Sequence, residues 1–382
     1  MKNLHIPHIE DLLVEMDPFA PVKYLETMFQ FLIGYKPENV KVSAKWDGSP
    51  AFVCGEHPED GVFFVGTKSA FTGKACRTNT DIDRFYGNKP ELVYKLKELL
   101  WYLHPLEWKG VVQGDLLWTT YSLLFDGDAK GFSFQPNCLK YHQPFHRARN
   151  IGVVVHTTYT GETFEDMEAQ FGAVVPYWMG PDAYVFQPEL EVKSHIYHNL
   201  KHTHEIQYSL IIHFNNLNKI AETIARAPEV LEALKEPKAV DLFYRYTNHI
   251  VKCPGEKMDG AGFLCFIEDH YNNHILGLKT KRGINNSINE RENIIQSIHG
   301  YEVWYLDCIL SFYEQISAVK TILINYLDYL FAFDPEYGYE IHLPNGTLCG
   351  HEGYVLTIDN KPAKFVKRQI FSKANFDMER DW

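Results

Sequence analysis

The tetrapeptide Lys45-Trp46-Asp47-Gly48 offers a primary amine beside a carboxylate, between two short apolar runs of the sequence. A Lys-x-Asp-Gly pattern arises by chance in about one chain in ten of this length at average residue usage, and a surface turn closed by Asp-Gly would account for it. The amine attacks phosphorus only when neutral, which requires burial or neighbouring cations that lower its pKa. A triphosphate substrate also needs Mg²⁺ and further lysines to neutralise its oxygens while pyrophosphate leaves. A nucleophilic Lys45 therefore predicts more carboxylates and lysines elsewhere in the chain.

Such residues occur in both halves of the sequence. The run Gln113–Trp118 is a predicted strand with a carboxylate, Asp115, after a glycine, and His351–Leu356 brings Glu352 before another glycine. Lys364 and Lys367 follow after a predicted turn. Residues three apart face opposite sides of a regular strand unless a bulge intervenes. Lys364 is therefore the first choice for a phosphate contact and Lys367 the second.

In this order the motifs resemble those of the covalent nucleotidyltransferases, the superfamily of ATP-dependent DNA ligases, RNA ligases and mRNA capping enzymes. The nucleophile motif of that superfamily, K-x-D-G, matches Lys45–Gly48, and its third motif, which usually ends in Gly-Glu, matches Gly114-Asp115. Its fourth motif, E-G-x-V, matches Glu352–Val355, and its fifth, a K-x-x-K or K-x-K strand, matches Lys364–Lys367. The resemblance covers residues 40 to about 375.

The resemblance implies a role for each matched residue of the first and fifth motifs. Lys45 is the expected nucleophile, Asp47 orders its loop and later assists the sealing step, and Gly48 belongs to the nucleotide site. Lys364 and Lys367 are expected to clamp the α-phosphate and to help keep Lys45 neutral. The expected nucleotide is ATP, with Mg²⁺ or Mn²⁺ as the metal.

Further nucleotide contacts are implied elsewhere. Asp115 and Glu352 are expected to hold the metal or the ribose hydroxyls, although aspartate at position 115 is one methylene shorter than the usual glutamate. Lys68 falls where the superfamily often places a cation near the ribose and phosphates. An aromatic ring usually stacks on the base, and Tyr141 or Phe134 is the candidate, with core packing as the alternative for either. The sequence around Lys45 and Lys68 also resembles that of an uncharacterised group of ligase-like proteins in tailed phages. The same group is resembled by the C-terminal pattern Phe-Val-Lys-Arg-x-x-Phe-Ser-Lys-Ala-Asn-Phe.

The periodicity of apolar residues predicts the elements that position these side chains. Residues 1–39 read as helix, residues 40–198 as short strands with one further helix, residues 199–336 as a mostly helical insertion, and residues 337–382 as the last strands of the core. Inside the insertion, residues 263–279 suggest a hairpin that turns at Asn272-Asn273. The predicted fold class is α+β: a ligase-type nucleotidyltransferase domain of antiparallel sheets flanked by helices, with no C-terminal oligonucleotide-binding barrel.

Composition sets wider bounds on the function. The 382 residues carry a net charge of −12, which argues mildly against a protein coated in nucleic acid, although basic clusters at residues 140–149 and 361–368 leave room for a local groove. The seven cysteines are scattered and never form a CxxC pair, which favours reduced thiols in a cytoplasm, that of a host cell if the origin is a phage. No membrane span and no signal peptide are expected, and the sequence does not predict an oligomeric state.

Two other clusters have more ordinary explanations. Asp259-Gly-Ala-Gly imitates the fourth motif, with the basic run Gly277–Arg282 after it, but lacks the glutamate and is assigned to the insertion. His195, His198, His202 and His204 crowd one stretch without the fixed ligand spacing that zinc requires. His156 is expected to be a hydrogen-bonded residue at the end of a strand.

Three functional hypotheses follow. The first is an ATP-dependent ligase that joins nucleic-acid ends bearing a 5′-phosphate, through a lysyl-AMP intermediate; the lack of room for a barrel after the fifth motif favours RNA slightly over nicked DNA. The second changes the acceptor, as in GTP-dependent capping or nucleotidylation of a protein. The third is a non-catalytic binding protein that retains the fold, which the acidic charge and Asp115 favour slightly and the retained lysines oppose.

Overall fold

Groups of mostly antiparallel strands and groups of helices follow one another along the chain, so the predicted α+β class is confirmed. The coordinates are a computed structural model. It describes residues 6–35, 37–106, 108–125, 131–143, 148–172, 178–179, 181–186, 188–190, 203–253, 255–299, 303–331 and 339–371. No helix in these ranges is long and apolar enough to cross a membrane.

The strands are short and the helices concentrate in the second half of the chain. The strands are β1 (Val40–Lys45), β2 (Ala51–Glu56), β3 (Phe63–Gly66), β4 (Val111–Thr119), β5 (Leu124–Phe125), β6 (Phe132–Phe134), β7 (Lys140–Gln143), β8 (Ile151–Thr160), β9 (Glu168–Phe171), β10 (Trp178–Met179), β11 (Ala183–Phe186), β12 (Glu340–His342), β13 (Leu348–Cys349), β14 (Gly353–Ile358) and β15 (Lys361–Val366). The α-helices are α1 (Leu12–Glu15), α2 (Ala20–Leu32), α3 (Asn79–Tyr86), α4 (Pro90–Leu103), α5 (Thr203–Ala225), α6 (Pro228–Lys235), α7 (Pro237–Lys252), α8 (Gly260–Leu276), α9 (Lys281–His299) and α10 (Val303–Phe331).

The largest sheet has the strand order β10-β11-β8-β4-β2-β3, and β9 pairs with β8. Its pairings are antiparallel except that β11 runs parallel to β8. Helices α3 and α4 pack against it, and their apolar residues, such as Ile82 and Leu99, join a core with Phe52 and Val153 of the strands. The antiparallel pairing of β2 with β4 places Ala51 opposite Asp115, close to the end of the Lys45 loop.

A small sheet of order β1-β14-β15 unites the two ends of the chain. The register pairs Lys45 with Gly353 and Val355 with Lys364. The first, fourth and fifth sequence motifs therefore lie side by side, although more than 300 residues separate the first from the others. A third sheet, of order β13-β12-β7-β6-β5, likewise combines strands from both halves of the chain.

The segment between these halves is helical over its described residues, but its details differ from the sequence prediction. The predicted hairpin at residues 263–279 is wrong, because residues 260–276 form the continuous helix α8. Phe263, Ile267 and Tyr271 recur every four residues on its buried face, and the Asp259 carboxylate accepts a hydrogen bond from the Gly262 amide and caps the helix. The helices α5 and α6 are separated by a short break, as are α9 and α10.

Helix α10 ties the helical region to the rest of the protein. It contacts α2, β15 and the 3₁₀ turn Ile9–Asp11. At this junction the Lys320 ammonium lies 2.5 Å from the Glu10 carboxylate, and both residues are fully buried. The helical region thus packs on the small sheet that carries the sequence motifs.

Candidate active site

Lys45 ends β1, and its side chain reaches a carboxylate from the far end of the chain. Because Lys45 pairs with Gly353 in the sheet, Glu352 stands next to it, and the Lys45 ammonium donates a hydrogen bond to the Glu352 carboxylate. Both side chains are largely buried, with 29% of Lys45 and 11% of Glu352 exposed. The structure therefore brings the first and fourth sequence motifs into direct contact.

Asp47 anchors the loop that follows β1. Its buried carboxylate accepts hydrogen bonds from the backbone N–H groups of Cys138 and Leu139, each at 2.7 Å, and from the side-chain amide of Asn137 at 2.8 Å. These donors belong to the turn between β6 and β7. The geometry agrees with the predicted role of Asp47 in ordering the loop, and it leaves this carboxylate with its hydrogen-bonding capacity largely used.

Gly48 allows this loop to lie directly on β4. A β-carbon at this position would lie 2.5 Å from the β-carbon of Asp115, which is closer than non-bonded carbons approach. The Ser49 amide donates to the Leu116 carbonyl at 2.9 Å, which fixes the same contact. Gly48 therefore brings the Lys45 loop and the Asp115 strand together, rather than contributing a side chain to the site.

A cleft of about 570 Å³ opens at this junction. It is lined by Ile6, Ser43, Ala44, Lys45, Trp46, Lys68, Ser69, Phe71, Thr72, Gln113, Asp115, Val154, His156, Thr157, Tyr159, Phe171, Gly172, Pro188, Val355 and Lys364. The lining includes Lys45, Lys68, Asp115 and Lys364, which were all singled out in the sequence. Its size falls in the range of pockets that enclose small molecules.

The two lysines of the fifth motif have separate environments. Lys364 lines the cleft, and burial together with the Lys45 ammonium lowers the pKa of Lys364 to about 8. Lys367 follows the end of β15, and its ammonium lies 2.8 Å from the Asp328 carboxylate of α10. The predicted phosphate contact fits the position of Lys364, whereas Lys367 takes part in a link to the helical region.

Lys45 is charged in this arrangement, contrary to the expectation that neighbouring cations keep it neutral. Burial alone would lower its pKa, but Glu352, Asp115 and Asp47 outweigh burial and raise the pKa of Lys45 above its ordinary value. Burial raises the pKa of Glu352, although the ammonium beside it acts in the opposite direction. The cause is that Lys45 lies among three carboxylates, whose attraction for its positive charge exceeds the effect of burial.

His156 on β8 is a cleft residue that the sequence did not single out as part of the site. Its Nε2 atom lies 3.7 Å from the Asp115 carboxylate, and its Nδ1 atom lies 2.8 Å from the Thr157 hydroxyl. Burial, together with the Lys45 and Lys68 ammonium groups, lowers the pKa of His156, although Asp115 acts in the opposite direction. Its alternation with Val154 along β8 puts both on the side of the strand that faces the cleft.

Tyr141 does not fit the predicted role of stacking on a base. It is fully buried, its hydroxyl accepts a hydrogen bond from the Asp47 amide at 2.9 Å, and its ring stacks on Phe134 and Trp46. Phe134 is equally buried, so core packing is the correct alternative for both rings. The rings that do line the cleft include Phe71, Tyr159 and Phe171, which no sequence motif marks.

Asp115 and Glu352 are the carboxylates best placed to hold a metal ion. The Asp47 carboxylate already accepts three hydrogen bonds. The Asp115 carboxylate faces the cleft, whereas Glu352 contacts only the Lys45 ammonium among its described partners. Hard oxygen ligands of this kind suit Mg²⁺ or Mn²⁺.

Other groups of metal-ligand type lie away from the cleft. His249, Cys253 and Glu256 cluster at the end of α7, but His249 and Glu256 already share a 2.9 Å hydrogen bond at the protein surface. His195, His198 and His202 fall outside the described residues, as does the side chain of His204.

A protein-family model matches almost the whole chain. Residues 3–380 match the family of unknown function DUF6267. The chain belongs to this family. Searches of curated proteins and of solved structures found no match. The functional argument therefore depends on the geometry of the site.

Proposed function

We propose that the protein is an ATP-dependent nucleotidyltransferase of the polynucleotide-ligase type, in which Lys45 forms a covalent bond to the α-phosphorus of ATP. The observation that supports this most directly is the convergence of Lys45, Asp115, Glu352 and Lys364, which reach one site from separate strands. If the Lys-x-Asp-Gly sequence only closed a surface turn, no buried carboxylate would be needed beside the Lys45 amine. A second lysine in the same cleft would not be needed either. The ligase-type fold is part of the same proposal.

In the first step Lys45 loses a proton to solvent and its neutral Nζ attacks the α-phosphorus. The N–P bond forms as the bond from phosphorus to the bridging oxygen breaks, pyrophosphate leaves with that electron pair, and the nitrogen releases a second proton to solvent. The Lys364 ammonium, at the wall of the same cleft, holds a phosphate oxygen. Asp115 and Glu352 would hold Mg²⁺, which when bound would replace the ammonium beside Glu352, lower the pKa of Lys45 and neutralise the triphosphate oxygens.

In the second step the acceptor takes the nucleotide from the lysine. A 5′-phosphate oxygen of a nucleic-acid end attacks the α-phosphorus, the N–P bond breaks, and its electron pair returns to Lys45, which regains two protons from solvent. A 3′-hydroxyl then attacks the adenylated 5′-phosphate, loses its proton and expels AMP. Asp47 contributes by holding the Lys45 loop in place against the β6–β7 turn.

The first prediction concerns the covalent intermediate. Incubation with α-labelled ATP and Mg²⁺ is expected to leave label on the denatured protein, because a phosphoramidate bond survives denaturation. Lys45→Ala is expected to abolish the label, since it removes the attacking atom. Lys361→Ala is the matched control: this lysine is exposed, lies outside the cleft lining, and should leave labelling unchanged.

The outcome that contradicts the proposal is equally direct. Labelling that persists in a folded Lys45→Ala protein, or a wild-type protein that takes no label from any nucleoside triphosphate, would rule out Lys45 as the nucleophile. Labelled wild-type protein is then chased with 5′-phosphorylated single-stranded RNA, nicked duplex DNA or a protein mixture. Transfer to RNA or DNA ends supports ligation, and transfer from a GTP-labelled protein or to protein would indicate the alternative acceptors.

A further inference from the structure

The side-chain amide of Gln113 is held in one orientation inside the cleft. Gln113 lies on β4 and is only 9% exposed. Its Oε1 atom accepts a 2.6 Å hydrogen bond from the Tyr159 hydroxyl of β8. Because the hydroxyl donates to the oxygen, the two ends of the amide are distinguished, and the Nε2 donor position is defined.

The donors of this amide have no partner in the described part of the chain. Neither N–H group of Gln113 donates to a described protein atom, and the residue lines the cleft. The amide nitrogen is not among the buried polar atoms without a partner in the described residues, so it is open to the cleft that Gln113 lines. Both N–H groups are therefore available to a hydrogen-bond acceptor of a bound molecule.

The register of the sheet places this amide at a defined distance from the reacting groups. Gln113 lies two residues before Asp115 on β4, which corresponds to roughly 6–7 Å along the strand. It pairs with Val53 on one side and Thr157 on the other, and Val53 pairs with Gly66, two residues before Lys68. A nucleotide whose α-phosphate lies beside Lys45 is long enough to reach this level of the cleft.

The neighbourhood of Gln113 suits a flat aromatic ligand. The rings of Phe71 and Tyr159 lie with their centroids 4.8 Å apart, and both line the cleft together with Phe171. Phe171 of β9 pairs with Thr157, the residue opposite Gln113. Apolar ring surfaces beside one oriented amide are the features that recognise a nucleobase by packing and by its hydrogen-bonding edge.

An amide distinguishes adenine from guanine on the edge of the base that carries N7. There its N–H donor and the remaining lone pair of its oxygen match the N7 acceptor and the adjacent exocyclic amino group of adenine. Guanine presents O6 and N7 as two acceptors on that edge, which a side chain with two donors contacts best. We propose that Gln113, oriented by Tyr159, contacts the base and makes the site select ATP over GTP; this rests on the proposed function.

The test compares the rates at which ATP and GTP label Lys45. Gln113→Glu keeps the oxygen that accepts from Tyr159 but removes the donor, and it is expected to lower the ratio of the ATP rate to the GTP rate about tenfold, the discrimination typical of one good base contact. Tyr159→Phe frees the amide to rotate and should lower the ratio by less. Gln170→Glu makes the same chemical change at an exposed position of β9 and should leave the ratio unchanged.

Two results overturn this inference while leaving the nucleotidyltransferase proposal intact. They are a wild-type protein that labels equally well from ATP and GTP, and a folded Gln113→Glu protein that keeps the wild-type ratio. If no nucleotide labels the protein, the proposed function fails, and equilibrium binding of ATP and GTP becomes the measurement. Preferential ATP binding that Gln113→Glu removes would then support base recognition, whereas absent or unchanged nucleotide preference would refute it.

Discussion

At the scale of single residues, protonation in the site follows from the balance of nearby charges. Lys45 faces three carboxylates and is held as an ammonium, whereas Lys364 faces the Lys45 ammonium and lies in a buried position that lowers its pKa to about 8. Two lysines of the same cleft therefore differ in the direction of their pKa shifts. The sequence marked both positions, but the sign of each shift depends on which residues fold around them.

This difference predicts how nucleotide affinity varies with pH. Because its folded-state pKa is lowered to about 8, Lys364 is charged below that pH and neutral above it. The affinity for α,β-methylene-ATP, which Lys45 cannot cleave, should fall about tenfold as pH rises through 8, since a charge-assisted phosphate contact is lost. Calorimetric titration from pH 7 to pH 9.5 measures this.

Two variants make the pH experiment specific. Lys364→Ala should bind more weakly at pH 7 and show no decline near pH 8. Lys361→Ala, an exposed lysine of the same strand, should keep the wild-type profile. An unchanged profile in Lys364→Ala would show that the amine does not contact the phosphates.

At the scale of elements, the pairing of β14 with β15 sets the position of the site. Gly353 follows Glu352 and pairs with Lys45 on one side and Val366 on the other. A β-carbon at position 353 would lie 2.2 Å from the Phe365 carbonyl oxygen. The close approach of β14 and β15 therefore requires glycine at position 353. The same strand pairing holds Glu352 next to Lys45.

Substitution of this glycine should disturb stability and site together. Gly353→Ala is expected to lower the free energy of unfolding by about 1–3 kcal/mol, the usual cost of overpacking, and to reduce labelling of Lys45 because Glu352 is displaced. Gly277→Ala, after α8, has no neighbour closer than 3.5 Å and should change neither quantity. Chemical denaturation and the labelling assay measure the two effects, and an unaltered Gly353→Ala protein would refute the packing argument.

At the scale of the whole molecule, a buried polar network joins the helical region to the cleft. Besides the Lys320–Glu10 pair, the Tyr313 hydroxyl of α10 donates to Asp11 at 2.8 Å and accepts a hydrogen bond from the Arg368 guanidinium. The adjacent Pro7 carbonyl accepts from the Lys364 backbone amide at 2.8 Å. The N-terminal turn thus lies between α10 and the strand that carries Lys364.

Removal of one partner of the buried pair should be costly, and removal of both should cost less. Lys320→Met leaves the Glu10 carboxylate buried without its cation and should lower the free energy of unfolding by about 3–5 kcal/mol. The double variant Lys320→Met/Glu10→Met should regain most of that stability, since no charge is left unpaired. Urea unfolding of the three proteins tests this, and additive losses in the double variant would show that the two residues are not energetically coupled.

The local pattern of the sequence was sufficient for most of the element types and for the separation of the two lysines of the fifth motif. Strand alternation placed Lys364 and Lys367 on different sides, and the structure has one in the cleft and the other on Asp328. The same local reasoning failed at residues 263–279, where two asparagines suggested a turn and the four-residue spacing of buried apolar side chains maintains a helix instead. Turn-forming residues are weak signals when tertiary packing favours a continuous helix.

The amino-acid sequence by itself determined the α+β class and brought forward Lys45, Asp47, Asp115, Glu352 and Lys364, because motif order and alternation are properties of the chain alone. Only the tertiary structure decided that Tyr141 is a core residue, that Lys45 is charged, and that His156 and Gln113 line the cleft. Burial and charge balance arise from contacts between residues distant in the chain, so no local pattern encodes them.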